Sequence, residues 1–516
     1  MIEKITIPEP AKRHPIDRFE HHFRECVGTG RVDLALQKSY LDALQICQNE
    51  IGFRRIRGHG ILSDQAGAYQ VRKLPRKVDV EDMEPPLHNF TRICRIIDNW
   101  LNTGIEPFIE LGFMPSELAG GDDTVFWWKS NVTPPSDYGK WRDLVSGLVR
   151  ILVKRYGLER VRTWPFEVWN EPDVGFWMPE GDKQEAYYEL YRHTAEAVKS
   201  VDPDIPVGGP ATCPASNEWV LDHVDHCVQN GIPIDFASTH LYMIHQTRIK
   251  GEFFQGDLYP PENRLRQAEK IRDFLKRSRK ADIPLHITEW NTSYSPLDLM
   301  HETTMNAAYV AWFISHADSL FDSYSYWTFS DVFEENNISS APFHGGFGLV
   351  TEDGIRKPTF YTFAFAAELG TEVVYRSDTV LVTTDPEGGI TALCYNLALD
   401  TEDAEEKELL FEVQVPWREA AVLVREVNDD AGTGFTAWKA LGRPRYPGAE
   451  EMEIIRNAQY PRQTVSTAQI RNGKARAGIT VPPNGIALVK LFERQDMSAE
   501  YRNLPEKEWG VDRTSK

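Results

Sequence analysis

Two glutamates stand where acid–base chemistry could be done. Glu171 follows an apolar and aromatic run in the stretch Phe166 to Trp177, FEVWNEPDVGFW, and Glu289 ends the row Leu285, Ile287, Glu289 of LHITEW. Residues two apart share a face of a strand, so that row is apolar until it meets a carboxylate. An acid so placed is costly unless it is used or paired. In the first stretch Pro172 keeps Glu171 out of helical geometry, and Trp169 and Trp177 flank it as groups able to strip it of water. Desolvation raises a carboxyl pKa, as a general acid working near neutral pH requires. Two carboxyls facing each other can split a glycosidic bond: one protonates the leaving oxygen while the other attacks the anomeric carbon or activates water. A separation of about 5–5.5 Å gives retention and about 6.5–9.5 Å inversion. Sequence alone gives no such distance.

The segments around these residues alternate between strand and helix. Strand candidates are Phe23 to Arg31, Phe53 to Gly60, Ile105 to Phe113, the stretch opening at Phe166, Ile205 to Gly209, Ile234 to Tyr242, Leu285 to Trp290 and Tyr324 to Phe329. Helices are expected at Asp33 to Ile51, at a segment with Phe90, Ile93, Ile97, Trp100 and Leu101 on one face, and at Gln184 to Ser200. Between the third and fourth strands Trp141, Leu144, Val145, Leu148, Val149, Leu152 and Val153 recur at i, i+3, i+4, i+7, i+8, i+11 and i+12. Only a helix puts those on one side. Eight such units predict an α/β fold, a (β/α)8 TIM barrel, over residues 15–365. A doubly wound open sheet is disfavoured, because no Gly-rich phosphate loop follows the first strand.

In such a barrel the chemistry sits at the C-terminal ends of the strands. Arg57 and His59 end the second, Asn170 and Glu171 the fourth, His240 and Tyr242 the sixth and Glu289 the seventh.

Past Ala366 the texture changes to short β-like runs punctuated by Gly, Asp and Pro. These predict an accessory β-sandwich domain over 366–494, with the alternating edge strand of residues 1–14 (Ile2, Ile5, Ile7) able to complete it. Residues 495–516 are charged and poor in apolar groups, and read as a tail.

Composition narrows the partners. A chain of 516 residues exceeds the roughly 250–300 at which single cores stop growing, so two domains are expected. A net charge of −20 argues against nucleic acid and anionic membranes, and 14 Trp suit stacking on flat neutral ligands such as sugars. The six cysteines have no metal spacing and read as reduced, mostly buried thiols. No signal-peptide-like run opens the chain and no stretch of about 18 apolar residues occurs, so a cytoplasmic location is expected. Oligomeric state is left open.

Taken singly, each motif has a plain structural explanation: Asn-Glu-Pro as a strand end with a turn, Glu-Trp as a salt-bridged acid, His59 and His240 as hydrogen-bonded core residues. Their joint placement at matching strand ends favours chemistry. The stretches CVGTGR, IRGHGIL, IEPFIELGFMP, TVFWWKSNVTPP, FEVWNEPD, THLY, ITEWNTSYS, YWTFSDVFEE and FHGGFGL, spread over residues 23–349, resemble glycoside hydrolase family 39 of the (β/α)8 retaining enzymes. That resemblance implies Glu171 as acid/base and Glu289 as nucleophile. It implies that Asn170 binds the sugar 2-hydroxyl and that His59, His240, Tyr242, Trp327, Glu334 and His344 line the glycone pocket. It also implies a two-step displacement with neither metal nor organic cofactor, and release of xylose from the non-reducing ends of xylo-oligosaccharides.

Two departures bear on specificity: Gly58 stands where the bacterial xylosidases carry an aromatic residue, and the segment Gln70 to Pro86 differs from their usual loop. Alternatives are the same machinery acting on an arabinose- or galactose-containing oligosaccharide, and a non-catalytic carbohydrate-binding barrel. An iduronidase-type specificity would need cationic partners for a uronic acid.

Overall fold

The structure, a computed structural model, describes residues 2–70, 87–214, 216–336, 338–400 and 404–495. Most of the segment Gln70 to Pro86 and of the expected tail lies outside the described residues.

Eight parallel strands close into a barrel: β1 (Val27–Arg31), β2 (Arg55–His59), β3 (Glu106–Leu111), β4 (Phe166–Val168), β5 (Val207–Thr212), β6 (Phe236–Tyr242), β7 (Leu285–Asn291) and β8 (Ser323–Tyr326). Each pairs in parallel with its sequence neighbours, and β8 closes on β1 through Tyr326 and Val27. The outer ring is α1 (Lys38–Glu50), α2 (Thr91–Asn102), α3 (Tyr138–Tyr156), α4 (Lys183–Lys199), α5 (Asn217–Asn230), α6 (Pro261–Lys276), α7 (Thr304–Ala317) and α8 (Pro358–Ala367).

The helix α3 shows why the pattern folds this way. Trp141, Leu144, Val145, Leu148, Val149 and Leu152 are all buried on its inner face, at roughly 1.5–3 kcal/mol for each large apolar side chain. Asp137 caps its start, accepting from the backbone N–H groups of Gly139 and Lys140 at 2.7 and 3.1 Å, a contribution of about 1 kcal/mol. Substituting Asp137 by Ala would strip that cap.

The accessory domain is one ten-stranded sheet curled on itself, a sandwich-like arrangement. The N-terminal strand Ile2–Ile7 runs parallel to Lys407–Gln414 and buries Ile5 and Ile7 with Val380, Val382, Leu409 and Phe411. Asp17–Arg18 adds a second N-terminal strand at the other end of the sheet, beside Glu372–Arg376. Helix α7 is buried on nearly all sides, against α8 and the accessory strands Ile390–Tyr395 and Ile486–Glu493, and so welds barrel to sheet. Among the described residues no helix is long and apolar enough to cross a membrane.

Five further elements were not legible in the pattern. A hairpin, Ile244–Lys250 with Phe253–Leu258, follows β6. Two helices, Gly434–Ala440 and Ala449–Ala458, pack Phe435, Trp438 and Ile455 against Phe343 and Ile355 of the barrel loops. The strand Arg462–Arg471 is exposed along most of its length.

Candidate active site

The inward faces of the barrel strands turn from apolar to charged towards their C-terminal ends. Phe108 lies low in β3 against Phe236 of β6, while Glu110, two residues on, sits in a charged layer with Arg57 and Glu167. Arg57 is the hub of that layer and is fully buried. Its Nε donates to Glu167 Oε2 at 2.7 Å, Nη1 to Glu289 Oε1 at 2.7 Å and Nη2 to Asn170 Oδ1 at 2.8 Å, with Glu110 Oε2 at 3.0 Å from Nη2. Burial works against its charge, but Glu167, Glu110 and Glu289 outweigh it and raise its pKa.

Above this layer the two carboxylates converge. Glu289 accepts from Arg57 on one oxygen and from the Tyr242 hydroxyl on the other, the latter at 2.7 Å. Glu171 Oε1 lies 2.8 Å from Nδ1 of His240, and the same nitrogen is 3.6 Å from Glu289 Oε2. A ring nitrogen of His240 and one oxygen from each of Glu171 and Glu289 lie within 4.8 Å of one another. Burial lowers the His240 pKa to about 4 against the pull of Glu289, so its imidazole is neutral near pH 7. Burial, helped by the negative charge of Asp173, pushes Glu171 up to about 8.

The turn that presents Glu171 is strained. Strand β4 ends at Val168, and Trp169 and Glu171 take φ values of 72° and 43°, conformations costing about 1–3 kcal/mol each for non-glycine residues. They are held by Trp169 Nε1 donating to the Phe176 carbonyl at 2.7 Å and by Glu171 N donating to the Ala211 carbonyl at 2.9 Å. Trp169 and Trp177 pack edge to face in the core, ring centres 5.0 Å apart, and do not line the cavity. Phe126 and Phe176 take that place, so the dehydrating wall comes from the neighbouring phenylalanines.

The cavity at the strand ends has a volume of about 590 Å³ and is lined by Glu171, Glu289, His59, Asn170, Tyr242 and Trp327 among others. His240 is fully buried and does not itself line the cavity, reaching the site through its contact with Glu171. His59 is 2.7 Å from Glu110 through Nδ1. Burial opposes its charge, but that carboxylate prevails and pushes its pKa up to about 9. Trp327 fits because Gly28 is opposite: a Cβ there would stand 2.4 Å from Trp327 Cε3.

Two residues named from the sequence lie elsewhere. Glu334 turns away and pairs with Arg31, and Gln37 donates to it at 3.3 Å. Its neighbour Glu335 lines the cavity instead, 3.5 Å from His59 Nε2 and pushed up to about 8 by burial. These adjacent side chains of one loop face apart, so a shift of one residue exchanges the cavity for the Arg31 pair. His344 opens on a separate surface cavity, its Nδ1 3.2 Å from the Ala341 carbonyl. A side chain at position 58 would run into Thr29 Cγ2 at 2.5 Å and the Gly30 carbonyl at 2.6 Å, so Gly58 is not a gap in the cavity wall.

Glu110, Glu167 and Glu335 join the site although no motif in the sequence singles them out. The first two had a signal, since each is an acid inside an otherwise apolar strand, as in IEPFIEL and FEVW. Glu335 sits in a loop with no period to orient it.

The model of the family described as glycosyl hydrolases family 39 matches residues 3–476. The beta-xylosidase of Geobacillus stearothermophilus is 44% identical over 496 residues, covering 95% of this chain and 97% of its own. That of Caldicellulosiruptor saccharolyticus is 34% identical over 510 residues, covering 95% and 98%. The crystal structure of a monomeric beta-xylosidase from Caulobacter crescentus CB15 superposes with a TM-score of 0.85 at 29% identity, covering 96% of this chain and 100% of that one. Alike nearly end to end in sequence and in fold, the chain belongs to glycosyl hydrolases family 39.

Proposed function

We propose that the protein is a retaining, exo-acting β-D-xylosidase that removes xylose from the non-reducing ends of xylo-oligosaccharides. The observation that carries the mechanism is the approach of one Glu171 oxygen and one Glu289 oxygen to within 4.8 Å, which supports direct attack by a carboxylate as in retaining sites. The sugar identity rests on the beta-xylosidases that this chain resembles over nearly its whole length.

In the first step Glu171, kept protonated by its buried setting, gives its proton to the glycosidic oxygen as Glu289 attacks the anomeric carbon. The aglycone leaves with that proton, and a covalent xylosyl ester forms on Glu289. Arg57 and Tyr242 fix the plane of the attacking carboxylate through one hydrogen bond to each oxygen. Arg57 also takes the carbonyl oxygen of Asn170, which leaves the amide nitrogen as the donor for the sugar 2-hydroxyl. In the second step Glu171, now a carboxylate, takes a proton from water as it attacks the same carbon, and xylose departs with its original configuration. Proton and electron balance close with water alone. A cytoplasmic location is our reading of the buried thiols of Cys26, Cys47, Cys94, Cys227 and Cys394.

The test is a panel of 4-nitrophenyl glycosides. The β-D-xyloside should be cleaved with the highest kcat/KM. A higher value for the α-L-arabinoside or β-D-galactoside would change the sugar, and binding without turnover of any of them would make the barrel a carbohydrate-binding module.

A further inference from the structure

Around the barrel, the carboxylates after β4 and on β7 divide the cavity lining into two parts. On one side of them stand His59, Trp327 and Glu335, while on the other the wall is built by Pro214 after β5 and by Tyr259, Arg264 and Gln267 after β6. With His59 and Trp327 on the side read as the glycone pocket, the part of the wall after β5 and β6 is left for the leaving sugar.

Arg264 occupies the first turn of α6, with its guanidinium 4.0 Å from the centre of the Tyr259 ring. Its Nη2 donates to the Ile244 carbonyl at 3.0 Å and its Nη1 to the Gln267 amide oxygen. Gln267 is itself pinned, donating through Nε2 to the Pro214 carbonyl at 2.9 Å. Every one of these partners is neutral. Nε is buried without an acceptor, and among the described residues no carboxylate comes within ion-pair range. Arg264 as a whole is half-buried; a charge partly withdrawn from water ordinarily finds an acid, and a guanidinium has five N–H groups arranged to match a carboxylate. The other charges of the cavity do not oppose an anion. Glu289 is matched by Arg57, and burial holds Glu171 and Glu335 protonated at neutral pH.

We propose that the part of the wall formed by Arg264, Tyr259 and Gln267 is a leaving-group subsite for a carboxylate-bearing sugar, so that the favoured substrates are xylo-oligosaccharides with a hexuronic acid on the leaving unit. The inference rests on the glycosidase reading above, with Tyr259 as the apolar platform and Arg264 as the counter-charge. Aromatic stacking holds the guanidinium in place before a ligand arrives.

The experiment compares kcat/KM on β-1,4-xylobiose with that on the same disaccharide carrying a hexuronic acid on its reducing xylose, for the parent, Arg264→Gln and Arg264→Lys. The acidic-to-neutral ratio should fall roughly tenfold or more in Arg264→Gln, the range of a lost charge-assisted hydrogen bond, and Arg264→Lys should keep part of it. Raising the salt from about 50 mM to about 500 mM should lower the ratio in the parent and leave that of Arg264→Gln flat. An equal loss on both substrates, or a parent ratio insensitive to salt, would overturn the proposal. If the parent cleaves another aryl glycoside and no β-D-xyloside, the sugar assignment fails by itself. Competition on that glycoside by hexuronic-acid-bearing xylose against plain xylose then reads the subsite: tighter inhibition by the acidic sugar, lost in Arg264→Gln, supports it, and equal inhibition overturns it.

Discussion

Nη1 of Arg57 donates to Oε1 of Glu289 at 2.7 Å. The pair ties the nucleophile to a cation that also holds Glu167, Glu110 and Asn170. Arg57→Met should therefore cost twice. Buried carboxylates lose their counter-charge, worth about 3–5 kcal/mol in urea unfolding, and kcat on an aryl xyloside should drop by roughly 100-fold or more. Arg57→Lys should regain part of the stability and little of kcat, because an ammonium cannot serve this set of acceptors with a planar fork. A stable, active Arg57→Met would show that Glu289 needs no such support.

Glu171 supplies the proton, and its pKa is raised to about 8 by burial, reinforced by Asp173. The acid must be protonated to act, so the alkaline limb of kcat/KM for xylobiose should fall as pH rises through about 8. Glu171→Ala should lose roughly 100- to 10,000-fold on xylobiose and much less on an activated aryl leaving group. Its alkaline limb should disappear. Persistence of the limb in that variant would assign it to another group.

Glu335 carries a sign that can be checked by stability alone. Burial raises its folded-state pKa to about 8, above the ordinary carboxyl value of about 4.3. The folded state then binds more protons, so this contribution is fully present below about pH 4.3 and is lost as pH rises through about 8. Urea unfolding at pH 5 and pH 9 should show Glu335→Gln gaining on the parent at the higher pH. An unchanged difference between the two would mean that Glu335 is ionised in the folded protein at both.

Gly28 sets the position of Trp327. Adding one methyl group by Gly28→Ala would place Cβ 2.4 Å from Cε3 of the indole, and one of the two has to move. We expect a fall in kcat/KM of roughly tenfold or more with the far-ultraviolet spectrum intact. Unchanged kinetics would remove Trp327 from the sugar-binding surface.

The periodic parts of this molecule were legible in its sequence. Leu285, Ile287 and Glu289 alternate as a strand must, and β7 carries the carboxylate to its tip as expected. Trp141 to Leu152 recur at helical spacing and form the buried face of α3. The pattern failed where geometry does not repeat. Glu334 and Glu335 are adjacent in a loop with no period to tell which faces inward. The exposed strand Arg462–Arg471 lacks the buried alternation that marks strands, and the hairpin after β6 extends over polar and glycine-containing sequence. Arg57 was visible as a strand-end residue, but its role as a hub depends on Glu110 and Glu167 reaching it from β3 and β4. Partners separated by 50 to 110 residues become neighbours only when the barrel closes.

The central claim is that Glu289 attacks the anomeric carbon directly, and proton NMR of the first-formed sugar tests it most closely. Hydrolysis of 4-nitrophenyl β-D-xyloside should release β-xylose first, with the α anomer appearing only as mutarotation proceeds. An α-anomer signal leading from the earliest spectra would contradict the account, since it would put water rather than Glu289 on that carbon.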